Sequence, residues 1–156
     1  MVEFTTAQDY RGRQDKRIEY REPKRIDASP FDVSIRDVYL SGAPVRLYLG
    51  GDAIFSGMYL AQDRRDEFVF AYTAAYDRVF RAAEVRDVLM IGGAACTYPR
   101  HCILRHRDVT FTVVDADPCA EEIARDYFFL DEFREDLVLT DAYLPPAVLR
   151  SGADAL

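Results

Sequence analysis

Two short apolar runs with different endings constrain this chain most. Asp87-Val88-Leu89-Met90-Ile91 stops at Gly92-Gly93-Ala94-Ala95, and Thr110 to Val114 stops at Asp115-Ala116-Asp117-Pro118. Apolar runs this short, bounded by turn signals, suit strands buried on both faces, as parallel strands are. Between them the sequence predicts a helix opening near Thr97 to Pro99, since proline is tolerated in a first turn. After the second run, Asp117 can cap and Pro118 can open another helix through Arg134, with Ala120, Ile123, Ala124, Tyr127 and Phe128 on its apolar face. Leu137 to Thr140 reads as a third short strand before Asp141. Strand, glycine turn, helix, strand, acid, helix, strand is a βαβαβ unit around a parallel sheet.

Upstream the apolar period changes. Val33, Ile35, Val38 and Leu40, then Val45, Leu47 and Leu49, then Ile54, Phe55, Met58 and Leu60 form short runs. Ser41-Gly42, Gly50-Gly51-Asp52 and Ser56-Gly57 punctuate them, which predicts antiparallel hairpins. From Asp66 to Glu84 apolar residues recur at helical spacing, with Asp66 placed to cap one helix. Met1 to Arg25 has mixed charge and little apolar periodicity, so it is expected to be mobile or to become a strand on contact with a partner. The expected fold class is α/β. A charged arm (1–27) precedes a small antiparallel β-hairpin module (28–65) and an incomplete Rossmann-like parallel sheet with helices (66–156).

Composition narrows the function classes. Hydrophobic residues make up 49% of the 156, enough apolar surface to exclude general disorder. No apolar run approaches the roughly 18 residues of a membrane span, and no leader pattern opens the chain. Cys96, Cys102 and Cys119 include no Cys-x-x-Cys pair and suit a reducing, cytoplasmic setting. The net charge of −7 sits in the last third: residues 115–156 hold eleven acids and three bases, while 28–114 hold ten of each. Nucleic acid is thereby disfavoured as a partner. A cationic ligand is compatible, although an acidic tract is more often a solvated helix face.

The site candidates lie at the strand ends. A glycine turn after strand one lets backbone N–H groups approach a ligand, and an acid ending strand two can accept ribose hydroxyls. Asp115 lies 22 residues beyond Gly93, near the roughly 20-residue spacing of that pairing. His101, Cys102 and His106 invite a metal reading, but histidines five apart share no helix face, and helix-surface positions explain them better. No metal is expected. Cys96 sits in the candidate ligand loop, where a small, partly buried thiol is the simpler reading. Neither a Gly-x-Ser-x-Gly elbow nor a Gly-Lys-Ser/Thr phosphate loop occurs.

Val88-Leu-Met-Ile-Gly-Gly-Ala-Ala, followed by Thr112-Val-Val-Asp-Ala-Asp-Pro, resembles the spermidine synthase-like branch of the class I S-adenosylmethionine-dependent transferases. Leu49-Gly-Gly-Asp, Asp66-Glu-Phe-Val-Phe-Ala-Tyr72 and Ala124-Arg-Asp-Tyr-Phe-Phe extend the resemblance over about residues 38–142. It implies a protein that binds S-adenosylmethionine, its decarboxylated form or methylthioadenosine, and that transfers an aminopropyl or methyl group to an amine. Gly92, Gly93 and Ala94 would then hold the amino-acid part, Asp115 the ribose, and Tyr72 the substrate.

The departures are specific. Ala94 stands where a third glycine is usual and Ala95 where the synthases carry an acid, and Tyr72-Thr73-Ala74 lacks two polar contacts. Asp136 to Tyr143 admits two alignments. As a third strand its Asp141-Ala142 faces the adenine. As a fourth, with Pro145-Pro146 behind it, Asp141 is the base that deprotonates the attacking amine. A three-stranded remnant leaves an apolar edge to be covered, so a homodimer or larger assembly is expected. The alternative readings are a degenerate, non-catalytic self-association module and a truncated piece of a longer transferase.

Overall fold

The computed structural model describes residues 17–106, 108–130 and 137–141, the last of these as backbone. Alternating apolar residues build the first layer. Strands β1 (Lys24–Arg25), β2 (Val33–Leu40), β3 (Ala43–Gly50) and β4 (Ala53–Tyr59) pair antiparallel in chain order. Ser41 and Gly42, both at positive φ, turn β2 into β3. β3 is buried along most of its length because both its faces are covered. Tyr48 packs with Ile123 and Phe128 on one side, while Val45 and Leu47 pack with Val69 and Phe70 on the other.

Two local expectations are corrected here. Ser56-Gly57 is no turn but the interior of β4. Glycine is required there because the Phe70 ring lies 2.9 Å from where a Cβ would project. The arm is not free where it is described. Lys24 and Arg25 pair with β2, and the Glu19 and Tyr20 N–H groups donate to Asp37 Oδ2 at 2.9 and 3.0 Å. Residues 1–16 lie outside the described residues.

The single helix expected over 66–84 is two short ones, α1 (Ala71–Tyr76) and α2 (Arg78–Ala82). Asp66 caps neither; its carboxylate accepts from Arg105 at 3.0 Å. The break falls at Asp77, whose carboxylate takes the Tyr98 hydroxyl at 3.3 Å and faces His101 Nε2 at 3.4 Å. Tertiary anchoring at Asp77 thus outweighs the apolar stripe, and Tyr72, Tyr76 and Val79 remain about half exposed.

Strands β5 (Asp87–Ile91), β6 (Thr110–Asp115) and β7 (Leu137–Asp141) form a second, parallel sheet in that order. Helices α3 (Thr97–Arg105) and α4 (Ala120–Phe128) make the crossovers. Phe111 and Val113 of β6 are buried against Cys96, Tyr98, Cys102, Ala124 and Leu130. On the opposite face Leu89 and Ile91 are 65% and 84% exposed, in a sheet type that ordinarily buries both faces. The helix expected to run to Arg134 ends at Phe128, where Phe129 turns left-handed at φ 58°.

The order β5-β6-β7 also decides between the two alignments of Asp141. A fourth strand of a doubly wound sheet lies beside the first, across the switch point from the second. β7 instead pairs with β6, the place of a third strand, with Asp141 in register beside Asp115. The base role that the fourth-strand alignment gave Asp141 therefore loses its footing. The Asp141 side chain and Ala142 to Leu156 lie outside the described residues.

Candidate functional site

A cleft of about 650 Å³ opens where the C-terminal ends of β5 and β6 meet the β3–β4 hairpin. Gly92, Ala94 and Asp115 line it with Tyr72, Tyr48 and Phe55. Four of the residues singled out in the sequence thus share one cavity. Open parallel sheets bind ligands at this end of their strands.

The turn after β5 explains the two glycines differently. Gly92 sits at φ 82°, which favours glycine, and donates its N–H to Val114 at 2.7 Å. Gly93 has an ordinary φ but no room: a Cβ would fall 2.6 Å from Val113 Cγ1. Its N–H donates to Asp115 Oδ2 at 2.7 Å, locking the turn onto the acid. Asp115 Oδ1 accepts the Asp117 N–H at 3.0 Å. Each carboxylate oxygen keeps a lone pair for a ligand hydroxyl.

Asp117 is buried and braced from two sides, accepting the Cys119 N–H at 2.9 Å and the Ser29 hydroxyl at 2.6 Å. The N-cap of α4 is Cys119 rather than the expected Asp117, whose carboxylate instead holds the turn that leads into the helix. Ser29 belongs to the loop before β2, so this contact ties the hairpin module to the ligand end of the parallel sheet.

Ala94, Ala95 and Cys96 all adopt positive φ (43°, 62° and 56°), three consecutive left-handed residues without a glycine. Each such residue costs about 1–2 kcal/mol. Ala94→Gly relieves one of them, against about 0.5–1 kcal/mol for the freer unfolded chain. We expect a net gain of about 0.5–1 kcal/mol, read as a thermal midpoint higher by ~1–4 °C; an unchanged or lower midpoint would show that the turn is unstrained.

Several side chains differ from their sequence reading. Tyr72 lines the cleft, but its hydroxyl is spent on the Phe55 carbonyl at 2.7 Å, leaving its ring as the surface it offers. Cys96 is fully buried, and burial with the nearby Asp115 pushes its thiol up to about 12, so it is no nucleophile. His101 and Cys102 are buried rather than on the helix surface. His101 Nδ1 faces the Asp66 carbonyl at 2.5 Å and its ring packs on Phe68, so it serves the α3 packing. No group of three or more metal-ligating side chains occurs among the described residues. No helix among them is long and apolar enough to cross a membrane.

Tyr48, Phe55, Phe31, Asp32 and Asp117 also line the cleft and were not legible as site residues. Burial, then the Asp117 and Asp115 carboxylates, pushes the Tyr48 phenol well above its usual range, so it stays a neutral donor. Its position just before Gly50-Gly51 was the one available signal. Phe55 gave none, because a bulge places it. Tyr48 pairs with Ser56 and Leu49 with Ile54, so Phe55 is the extra residue between them.

No protein-family model matches the chain, and no curated protein does. Among solved structures, its fold is similar to the crystal structure of a probable spermidine synthase from Corynebacterium glutamicum, with a TM-score of 0.53. Identity is 20%, over 72% of this chain and 42% of that one. The likeness is one of fold, a mixed α/β arrangement with a partial Rossmann-like sheet. The chain spans less than half the length of the structure it matches.

Proposed function

We propose that the cleft binds an S-adenosyl ligand and that its chemistry is transfer of an aminopropyl or methyl group to an amine. One observation carries this reading: Asp115, fixed by the Gly93 N–H, lines a cavity with Gly92 and Ala94 at the C-terminal end of a parallel sheet. Asp115 then holds the ribose diol through its remaining lone pairs, and Gly92, Gly93 and Ala94 face the amino-acid part. The charged residues lining the cleft are Asp32, Asp115 and Asp117, which favours decarboxylated S-adenosylmethionine over the parent, whose carboxylate they would repel.

In such a transfer the amine lone pair attacks the carbon on the sulfonium, and the C–S bond breaks with its electrons left on sulfur. Methylthioadenosine departs when an aminopropyl group moves, and the amine must lose a proton. With Asp141 on the adenine side in this reading, Asp32, exposed and ion-paired with Arg25 at 3.6 Å, is the carboxylate among the described lining residues placed to take that proton.

Calorimetric titration with S-adenosylmethionine, its decarboxylated form and methylthioadenosine tests the proposal. Micromolar binding is expected, weakened about 100-fold in Asp115→Ala, which loses charge-assisted hydrogen bonds worth about 1.5–3 kcal/mol each. No heat from folded protein with any of the three would overturn it.

A second reading, self-association without catalysis, is favoured by the exposed Leu89 and Ile91 on one face of the parallel sheet. Its occupant is a second copy of this chain, because Asp87 is the one charged residue on that face of β5 and β6, so two copies meet there without opposing charge clusters. A dimer at tens of micromolar that Ile91→Asp converts to monomer would support this. A monomer at every concentration would dismiss it.

A further inference from the structure

The cleft carries a second signature, independent of the glycine turn. Phe31, Phe55 and Tyr72 line it, each 46–47% exposed. Three half-exposed rings lining one cavity make a contiguous apolar surface of the kind that marks binding sites. Phe55 is set there by two devices. It is the unpaired residue of the β3–β4 bulge, and its ring lies over Gly50, with ring atoms 2.0–2.9 Å from where a Cβ would sit. Tyr72 is latched by its hydroxyl to the Phe55 carbonyl at 2.7 Å, so neither ring is a free rotor.

The charged side chains among the described lining residues are Asp32, Asp115 and Asp117, with Arg25 ion-paired to Asp32 at 3.6 Å. Ring faces are negative by quadrupole and attract cations, but they are poor hydrogen-bond acceptors. A primary ammonium in the cleft turns its N–H donors to these carboxylates. A cation wrapped in alkyl groups has no such donors, and its charge is drawn to the ring faces and to the carboxylates behind them.

We infer that the Phe31–Phe55–Tyr72 rim holds an alkylated onium centre, a sulfonium or quaternary ammonium, and thereby separates a charged adenosyl ligand from its neutral thioether. The inference rests on the S-adenosyl reading and deepens it. Loss of the transferred group turns the sulfonium into a thioether, so the bound product loses its charge, and the rim then favours its release.

The test uses a matched pair, methylthioadenosine and its dimethylsulfonium derivative, which differ by one methyl group and the charge. In calorimetric titration of the intact chain, the sulfonium is expected to bind about tenfold tighter than the thioether. Phe55→Leu and Tyr72→Leu should each remove most of that ratio, weakening the sulfonium far more than the thioether. Tyr72→Phe, which keeps the ring but loses the hydroxyl latch, should retain more of the ratio than Tyr72→Leu. Equal affinity for the two ligands, or leucine variants that weaken both alike, would overturn the inference and leave the adenosyl reading intact. Binding of neither would remove the reading and the inference with it.

Discussion

Replacing Arg46 with alanine is expected to cost about 3–5 kcal/mol of unfolding free energy, because it strands a buried carboxylate. Arg46 and Asp37 face each other across β2 and β3, with side chains 5% and 0% exposed. Nε donates to Oδ1 at 2.8 Å and Nη2 to Oδ2 at 3.0 Å, a bidentate pair that a lysine cannot reproduce. Nη1 reaches the Tyr127 carbonyl at 3.0 Å, and the guanidinium lies 4.6 Å from the Tyr20 ring centre. One side chain therefore joins the hairpin sheet, the segment before β1 and the end of α4.

The double variant Asp37→Leu with Arg46→Met is expected to recover part of the loss, since removing both charges removes the stranded one. Recovery stays incomplete because the Glu19 and Tyr20 N–H groups lose their acceptor. Urea unfolding of the two variants checks this. A loss below about 1 kcal/mol in Arg46→Ala would mean that the pair is screened as a surface ion pair would be.

Gly93→Ala is expected to cost about 1–3 kcal/mol of stability, the usual range for overpacking, and to weaken ligand binding by more than about tenfold. The added methyl would meet Val113 Cγ1 at 2.6 Å, with Cys96 Sγ at 3.4 Å and Asp115 Oδ2 at 3.6 Å. Val113 is buried on β6 and cannot withdraw, so the turn must move and its N–H leaves Asp115. Gly92→Ala is the control. Nothing lies within 4 Å of its Cβ position, yet its φ of 82° disfavours a side chain, so we expect a loss of about 1–2 kcal/mol with no clash. Urea unfolding and titration on both variants separate crowding from backbone strain. A Gly93→Ala protein as stable and as competent in binding as its parent would refute the close-packed turn.

Patterns carried by neighbours in the chain were readable. Val33 and Ile35 alternate toward the core, and the apolar runs at 87–91 and 110–114 became the parallel strands. Gly92, Gly93 and Asp115 meet because strand ends and turns follow from local chemistry at a fixed spacing. The stripe over 66–84 misled, because Asp77 is pinned by Tyr98 and His101 from another element and breaks the helix. Cys96 and His101 likewise carried no local mark of their burial.

The sequence by itself determined the hairpin module, the order of the parallel strands' elements and the pairing of a glycine turn with an acid, since each depends on periodicity or short-range turn chemistry. Tertiary structure alone decided which strand β7 lies beside, how the bulge turns Phe55 into the cleft, and that Ser29 reaches Asp117 across 88 residues. Those outcomes depend on the distance between elements remote in the chain, and no local pattern encodes that distance.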